Sequence, residues 1–404
     1  MMTKLSADGF IREPEPKQPG FAFFNLAFRP MFLLGSAFSV VSILLWVFSF
    51  NGYFVFEPYG GSYWWHMHEM LFGFVAAIMA GFLLTAVQTW TQVPSIKGKP
   101  LMALVLLWLA GRVLMLFPDI ASPVINAIVD SLFLPAAIIA LAIPILKVRQ
   151  WPNLVFVPVL TLMAIANIVM HIQAQTGGAI QQVAYFTVLL ITLVMCILGG
   201  RVFPMFTANG TQTQRVPSIA WLELFSITSV LLCVLLATGW IPVGETITAV
   251  VFIVAGVTNF IRAFRWRIWV TFGTPLVWPL HISYWALSIG LVLVGLAQVV
   301  DIITMSQAIH TITVGAMGLM ILAMVSRVSL GHTGRNIAVG AVMNFAFILL
   351  ALSLLVRVLM PSLLSSHYIL LMLVAGVMWA VAYTLFVIKY TAILSKPRID
   401  GRPG

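Results

Sequence analysis

The residues of this sequence best suited to metal chemistry are histidines that lie in strongly apolar stretches or at their ends. Ionisable side chains are costly at membrane depth, so histidines in such stretches are candidates for function. Neutral imidazole is a common ligand of transition metals and of haem iron. The candidates are His66, His68, His171, His281, His310 and His332.

His66 and His68 lie in the segment W-W-H-M-H-E-M, directly before Glu69. Two residues apart on a helix, they point about 200° away from each other. They are therefore poorly placed to bind one ion together, but they can serve two centres on opposite sides of the helix. Glu69 can hydrogen-bond an imidazole or bind a cation. The alternative is a pair of interfacial histidines with aromatic neighbours, although three ionisable groups within one turn disfavour it. Of the methionines, only Met67 and Met70 are placed to act as soft copper ligands.

Gly73, Ala77 and Gly81 follow on the same helix at intervals of four residues and form a smooth stripe on the side of His66. Such a stripe admits either a neighbouring helix or a flat macrocycle. Close helix packing through small residues is the simpler interpretation.

His310 and His171 are the next candidates. His310 opens the segment H-T-I-T-V-G-A-M-G, and one haem could take a ligand from it and another from the pair at 66 and 68 if the two helices adjoin. A copper site usually needs several imidazoles, which His171 could complete together with another of these histidines. Each could instead be a lone histidine with local hydrogen bonds.

His281, in P-L-H-I-S-Y-W, and His332, in L-G-H-T-G-R, form a separate set. Arginines predicted at a similar depth could bind the propionates of a second haem held there. The alternative is a pair of structured helix ends, where glycines supply the turns. The arginines concerned are Arg201, Arg327 and Arg335.

Four further charges interrupt the apolar segments: Arg112, Asp130, Glu223 and Arg357. Arg112 and Asp130 are predicted at similar depth and are expected to pair. Structural pairing is one explanation of these charges, and a proton route or a cofactor counter-ion is the other. On the second explanation, Glu69 and Asp130 are the candidate catalytic groups.

The elements that carry these residues are predicted to be transmembrane helices. The chain has 404 residues, of which 61% are hydrophobic and 8% charged, and its mean hydropathy is +1.07. Soluble domains carry about a quarter charged residues. The net charge of +10 is spread over many loops, so nucleic-acid binding is not expected. Cys196 and Cys233 form no C-x-x-C motif, which excludes iron–sulfur clusters and covalently attached haem and leaves non-covalent haem b.

Twelve apolar segments are long enough to span a bilayer, and we number them spans 1 to 12. They lie near 28–50, 66–89, 101–117, 123–146, 153–174, 180–203, 218–238, 246–264, 276–298, 305–327, 337–359 and 366–390. The predicted domains are a disordered cytoplasmic tail over 1–26 without a cleavable signal, a transmembrane domain over 27–392 and a cytoplasmic tail over 393–404.

The loops alternate in charge. Acidic residues follow the odd spans, at Glu57, Asp119, Glu245 and Asp301. Basic residues follow the even spans, at Lys97, Lys99, Lys147, Arg149, Arg201, Arg215, Arg262, Arg265, Arg267, Arg327 and Arg335. This pattern predicts that both termini are cytoplasmic. It also places four histidines at one level near the outer face: His66, His68, His171 and His310.

The ends of spans 2, 6 and 10 resemble one another, as A-G-F-L-L-T-A-V-Q-T-W-T, L-G-G-R-V-F-P-M-F-T and M-V-S-R-V-S-L-G-H-T. Their spacing of four helices suggests three four-helix units around a pseudo-threefold axis. The main subunit of haem-copper oxidases and nitric oxide reductases is similar, with twelve spans and haem ligands on spans 2 and 10. This chain has no recognisable copper-site histidine on span 6 or 7.

Several motifs resemble those of the NnrS family. They are F-R-P-M-F-L-L-G at 28–35, W-H-M-H-E-M-L-F-G-F-V-A-A-I-M-A-G-F-L-L-T-A-V from 65, G-G-R-V-F-P-M-F-T at 199–207, and H-T-I-T-V-G-A-M-G with R-V-S-L-G-H-T-G-R up to 335. The sequence A-V-Q-T-W-T at 86–91 departs from the expected A-V-P-N-W-T. The resemblance implies a bacterial inner-membrane protein that contains haem and copper and acts in nitric oxide metabolism. It also implies that the six candidate histidines are the pool of ligands.

The leading hypothesis is therefore a haem- and copper-containing membrane protein that binds nitric oxide and protects against nitrosative stress. Reduction of nitric oxide would also need protons and an electron donor such as a quinol. One alternative is a secondary transporter of twelve spans, which would favour two six-span halves with broken helices. Another is a haem-based nitric oxide sensor without turnover. The sequence does not predict the oligomeric state.

Overall fold

The chain folds into a bundle of long apolar helices. The computed structural model describes residues 20–402, and within them it contains twelve helices long and apolar enough to cross a membrane and no strand. The prediction of an all-helical polytopic membrane protein with twelve spans is confirmed. The spans are Phe28–Phe50, Ser62–Thr91, Lys99–Leu116, Pro123–Lys147, Trp151–Thr176, Ile180–Thr211, Ala220–Ala237, Glu245–Phe264, Trp278–Leu296, Met305–His332, Ala341–Leu363 and Ser365–Ser395.

Spans 2, 6 and 10 form the centre of the bundle. In their most apolar windows 83%, 72% and 72% of the residues are buried, more than in any other span of the described chain. Lipid offers no partner for backbone polar groups, so each segment satisfies them within its own helix and packs through side chains. The equal spacing of the central spans, four helices apart along the chain, is the spacing that the predicted pseudo-threefold arrangement requires.

Two of the central spans change helix type directly after a candidate histidine. In span 2 the residues Glu69–Val75 are π-helical, and in span 10 the residues Thr311–Gly318 are π-helical. These segments follow His68 and His310 without a break. π-Helical turns are rare and occur frequently at functional sites, because the extra residue turns neighbouring side chains in new directions.

Several helix ends differ from the prediction. Span 2 begins at Ser62, so His66 and His68 lie in its second turn, and spans 6 and 10 continue to Thr211 and His332. Helical hydrogen bonding therefore extends beyond the apolar stretch that a hydropathy argument detects. The assignment of basic residues to loops was therefore wrong for three arginines. The structure places them in helices: Arg201, Arg262 and Arg327.

The segments next to the first and last spans pack against each other. The amide of Ala22 donates to the carbonyl of Ser395 at 2.8 Å. The buried guanidinium of Arg29 donates to the carbonyls of Leu394 and Lys396. Of the predicted N-terminal tail, residues 1–19 lie outside the described part of the chain.

The small-residue stripe on span 2 is a helix-packing surface. Span 1 lies against it, so that a Cβ atom added at Gly81 would meet Met31 Cβ at 2.7 Å. A Cβ added at Gly73 would meet the Phe38 ring at 2.6 Å and Arg112 Nη1 at 2.7 Å. The packing interpretation is therefore confirmed, and no room remains on the stripe for a flat macrocycle. The stripe does not line the cavity that His66 borders, contrary to its predicted position on the side of His66.

We expect Gly81→Leu to lower the free energy of unfolding by about 1–3 kcal/mol, the usual cost of overpacking. The reason is that span 1 must move away from span 2 to admit the side chain. Thermal unfolding of the detergent-solubilised protein would measure the loss. Gly273→Leu is the matched control, since a Cβ at Gly273 has no neighbour within 4 Å. Equal melting temperatures for the two variants would contradict the close packing of spans 1 and 2.

Candidate metal and cofactor sites

His66 and His68 face two different environments on either side of span 2. The His66 ring stacks on Trp46 of span 1, with centroids 4.6 Å apart and planes inclined by 10°. The His68 ring stacks on Trp64, with centroids 4.4 Å apart and planes inclined by 12°. The two imidazoles therefore belong to two separate sites, as their spacing predicts. We call these sites the His66–His310 cavity and the His68–Asp130 cluster.

The His66–His310 cavity has a volume of about 300 Å³ and lies among spans 1, 2, 6, 10, 11 and 12. His66, His310 and Arg357 border it at the end of the bundle whose loops carry the acidic residues. Met67 and Met70 also border it. Most of the remaining wall is apolar, including Leu71, Phe74, Val75, Met317 and Trp379. A concave, mainly apolar site with a few polar groups is typical of cofactor pockets.

The imidazoles of the cavity have the chemistry that haem iron needs. Nδ1 of His310 donates to the carbonyl of Ser306 at 2.7 Å, so that Nε2 is left as the unprotonated nitrogen. Nδ1 of His66 is buried and has no hydrogen-bond partner within the described chain. Two neutral imidazoles from different helices are an ordinary donor set for non-covalent haem. The residues present therefore fit a haem.

The His68–Asp130 cluster is a buried polar network shared by spans 2, 3, 4 and 5. Its members are His68, Glu69, Arg112, Asp130, Asn167 and His171, and each is 5% exposed or less. Arg112 connects its two carboxylates, because Nη1 donates to Glu69 at 2.5 Å and Nη2 donates to Asp130. The predicted pairing of Arg112 with Asp130 is confirmed. The pair belongs to a larger network that includes two of the candidate histidines.

Asn167 fixes the hydrogen bonding of His68. Its amide nitrogen donates to Asp130 Oδ2 at 2.9 Å, so its carbonyl oxygen faces His68 Nε2, at 2.7 Å. The other ring nitrogen, Nδ1, lies 2.8 Å from Glu69 Oε1. Both nitrogens of His68 therefore face oxygen acceptors. A hydrogen bond to each acceptor requires a proton at both contacts, whereas a neutral imidazole carries a proton on one nitrogen only. The cluster is therefore arranged to hold one additional proton.

Three residues of the cluster also have the arrangement of a metal site. His68, Asp130 and His171 each offer a ligand atom, and these atoms lie within 4.8 Å of one another. Nε2 of His171 lies 2.9 Å from Asp130 Oδ2, and Nε2 of His68 lies 3.2 Å from the same oxygen. Nδ1 of His171 is buried without a hydrogen-bond partner in the described chain. Two imidazoles and a carboxylate fit transition-metal ions such as iron, zinc and copper.

Tyr59 closes the cluster from the loop before span 2. Its ring lies 5.4 Å from that of His171 and 5.3 Å from that of Trp64. Burial raises the pKa of the Tyr59 phenol above its ordinary value, although a hydrogen bond from Gln175 opposes the rise. The phenol therefore stays neutral and separates the cluster from solvent.

The two histidines near the opposite end of the bundle have different surroundings. Nε2 of His281 lies 2.7 Å from Thr207 Oγ1, and its ring faces Phe203 and Trp266. The ring of His332 lies 5.5 Å from that of Phe28. Within residues 20–402 no hydrogen bond or ring contact joins the two histidines. This geometry favours the interpretation as structured helix ends, and binding of a second haem there stays a prediction.

A second, part-buried ion pair lies among spans 6 to 9. The buried guanidinium of Arg262 donates to Glu223, to Tyr284 Oη at 2.8 Å and to Cys196 Sγ at 3.3 Å. Glu223 therefore has a structural partner, which the sequence did not predict because Arg262 was assigned to a loop. Sequence reasoning also missed the stacking of Trp46 and Trp64 on the histidines and the position of Arg357 beside His310.

The fold and the two sites define a polytopic helical membrane protein with histidines placed to hold cofactors between its spans. The chain belongs to the NnrS family, because the family model described as "NnrS protein" matches residues 22–398. Membership of that family suggests a role in the response to nitric oxide. A search of curated proteins finds no match.

Proposed function

We propose that this protein binds nitric oxide at a haem and protects the cell against nitrosative stress. His66 and His310 would hold the haem, and His68, Asp130 and His171 would hold copper. The observation that carries the proposal is the meeting of His66 on span 2 and His310 on span 10 at one apolar cavity. The NnrS match supports a bacterial inner membrane. The charge alternation of the loops supports an orientation with both termini in the cytoplasm.

The residues of the cavity suit an apolar gas. Ferrous haem would bind nitric oxide in exchange for one of its two imidazoles, and the apolar wall lets a small uncharged molecule enter from the lipid. Trp46 holds the His66 ring by stacking, and the Ser306 carbonyl holds the tautomer of His310. Fixed orientation and tautomer raise the affinity of an imidazole for its metal.

Reduction of nitric oxide is a further step that the buried network would support. Two molecules of nitric oxide, two electrons and two protons give one nitrous oxide and one water. Glu69, whose Oε1 lies 2.8 Å from His68 Nδ1, and Asp130 would pass the protons past the metal ligands of the His68–Asp130 cluster. A quinol in the membrane would supply the electrons. The two sites lie on different sides of span 2, and a helix with its side chains is about 10–12 Å across.

A secondary transporter fits the structure less well. Two six-span halves would interrupt corresponding helices, so that a break in span 2 would be matched in span 8. The π-helical segments lie instead in spans 2 and 10, whereas span 8 is a continuous α-helix over Glu245–Phe264. A haem-based sensor without turnover uses the same cavity and is the second candidate.

The purified protein is expected to show a Soret absorption band that shifts when nitric oxide is added under anaerobic conditions. Elemental analysis should find iron and copper. Nitrous oxide in the headspace, measured with a quinol as reductant, would distinguish a reductase from a sensor. A colourless, metal-free preparation that is folded by circular dichroism would contradict the proposal and favour transport.

A further inference from the structure

Arg357 is a cation placed at the polar end of the His66–His310 cavity. It lies in the last turn of the helix Ala341–Val358 and borders the cavity directly. Its Nη2 donates to Ser306 Oγ at 3.0 Å and lies 3.3 and 3.4 Å from the two ring nitrogens of His310. Its charge therefore faces the same space as the imidazole.

Two of the other buried arginines have carboxylate partners, whereas Arg29 donates to backbone carbonyls and Arg327 lies over the Phe206 ring. Arg112 pairs with Glu69 and Asp130, and Arg262 pairs with Glu223. Among the described residues no carboxylate lies within ion-pair distance of Arg357. Holding a cation away from water without an anion is expensive, which favours an anionic group in the cavity that Arg357 borders.

The walls of the cavity restrict the chemistry of that anionic group. The phenols of Tyr63, Tyr185 and Tyr368 border the cavity together with Arg357 and Ser306. The remaining wall is mainly the apolar surface described above. A molecule that matches both parts has a large apolar body and an acidic group at one end.

We infer that Arg357 binds a carboxylate of the amphipathic molecule that occupies this cavity. The inference rests on the proposed function, in which that molecule is a haem and the carboxylate is one of its propionates. A guanidinium recognises a carboxylate through two parallel charge-assisted hydrogen bonds.

The contact with His310 supports the same assignment. Nε2 of His310, the nitrogen left free for a metal, lies 3.4 Å from Arg357 Nη2. When His310 binds iron, this nitrogen no longer accepts a hydrogen bond, and the guanidinium needs another acceptor. A propionate would replace it, so that the charge of Arg357 would favour haem binding.

The test is a binding titration of protein produced in haem-deficient cells, followed through the Soret band. Free-acid haem is compared with haem whose propionates are methyl esters. The unsubstituted protein is expected to prefer the free acid by roughly 10- to 100-fold, the size of a charge-assisted hydrogen bond. Arg357→Gln should lose this preference, while Arg265→Gln, which removes a charge outside the spans, should keep it.

A second arm separates this inference from the proposed function. A fluorescent long-chain fatty acid and its methyl ester are titrated into the same proteins. If haem binds with no preference between acid and ester, the proposed function stands and the role of Arg357 is wrong. If haem does not bind but the fatty acid is preferred in an Arg357-dependent way, the proposed function is wrong and the carboxylate site stands. If neither ligand shows an Arg357-dependent preference, the inference is overturned.

Discussion

Arg112→Leu is expected to lower the free energy of unfolding by about 3–5 kcal/mol, the cost of leaving buried charges without a partner. Arg112 is the only arginine or lysine within ion-pair distance of Glu69 and Asp130 in the described chain, and both carboxylates are 2% exposed or less. Leucine fills much of the same space but returns no positive charge. The loss would be measured by thermal unfolding in detergent, with size-exclusion chromatography to separate folded from aggregated protein.

The cause can be tested by removing the negative charges as well. Combining Arg112→Leu with Glu69→Gln and Asp130→Asn should recover a large part of the lost stability, because uncharged amides cost less to bury than unpaired carboxylates. Arg265→Leu serves as the control, since Arg265 lies outside the spans and its side chain donates to the Pro217 carbonyl. If the Arg112→Leu protein had the same melting temperature as the unsubstituted protein, the ion pairs would not be what holds spans 2, 3 and 4 together.

The large-scale architecture of this protein was predictable because the bilayer imposes it. A helix that crosses the hydrocarbon needs roughly 20 apolar residues, so the sequence predicts twelve spans directly. The order of the spans then gives each histidine a depth. His66 and His310 accordingly meet at one cavity, and His68 and His171 meet in one cluster. Because residues two apart on a helix point about 200° away from each other, the sequence also predicts that His66 and His68 belong to different sites.

The details of the sites were not predictable, because they depend on contacts between distant segments. Asn167 determines the hydrogen bonding of His68 through Asp130, and these residues lie on three different spans. The π-helical segments have no signal in the sequence, since neither Glu69–Val75 nor Thr311–Gly318 contains a proline. The proximity of Arg357 to His310 results from the packing of span 11 on span 10.

Exchanging His66 and His68 separately for alanine is expected to remove different cofactors. His66→Ala should lose the haem and keep copper, and His68→Ala should lose copper and keep the haem. Removing even a hydrogen-bond partner of a metal ligand costs about 10- to 100-fold in affinity, so removing the ligand itself should cost more. Pyridine haemochrome spectra and elemental analysis of the purified variants would measure the two contents independently.

The partners of each histidine provide the internal check. His310→Ala should behave as His66→Ala does, because both residues border the cavity, and His171→Ala should behave as His68→Ala does. His367→Ala is the matched control, since His367 is exposed at the start of span 12 and should leave both contents unchanged. If folded His66→Ala and His68→Ala proteins each lost both cofactors, span 2 would serve a single shared centre. The two-site arrangement would then be wrong even though the rings stack on different tryptophans.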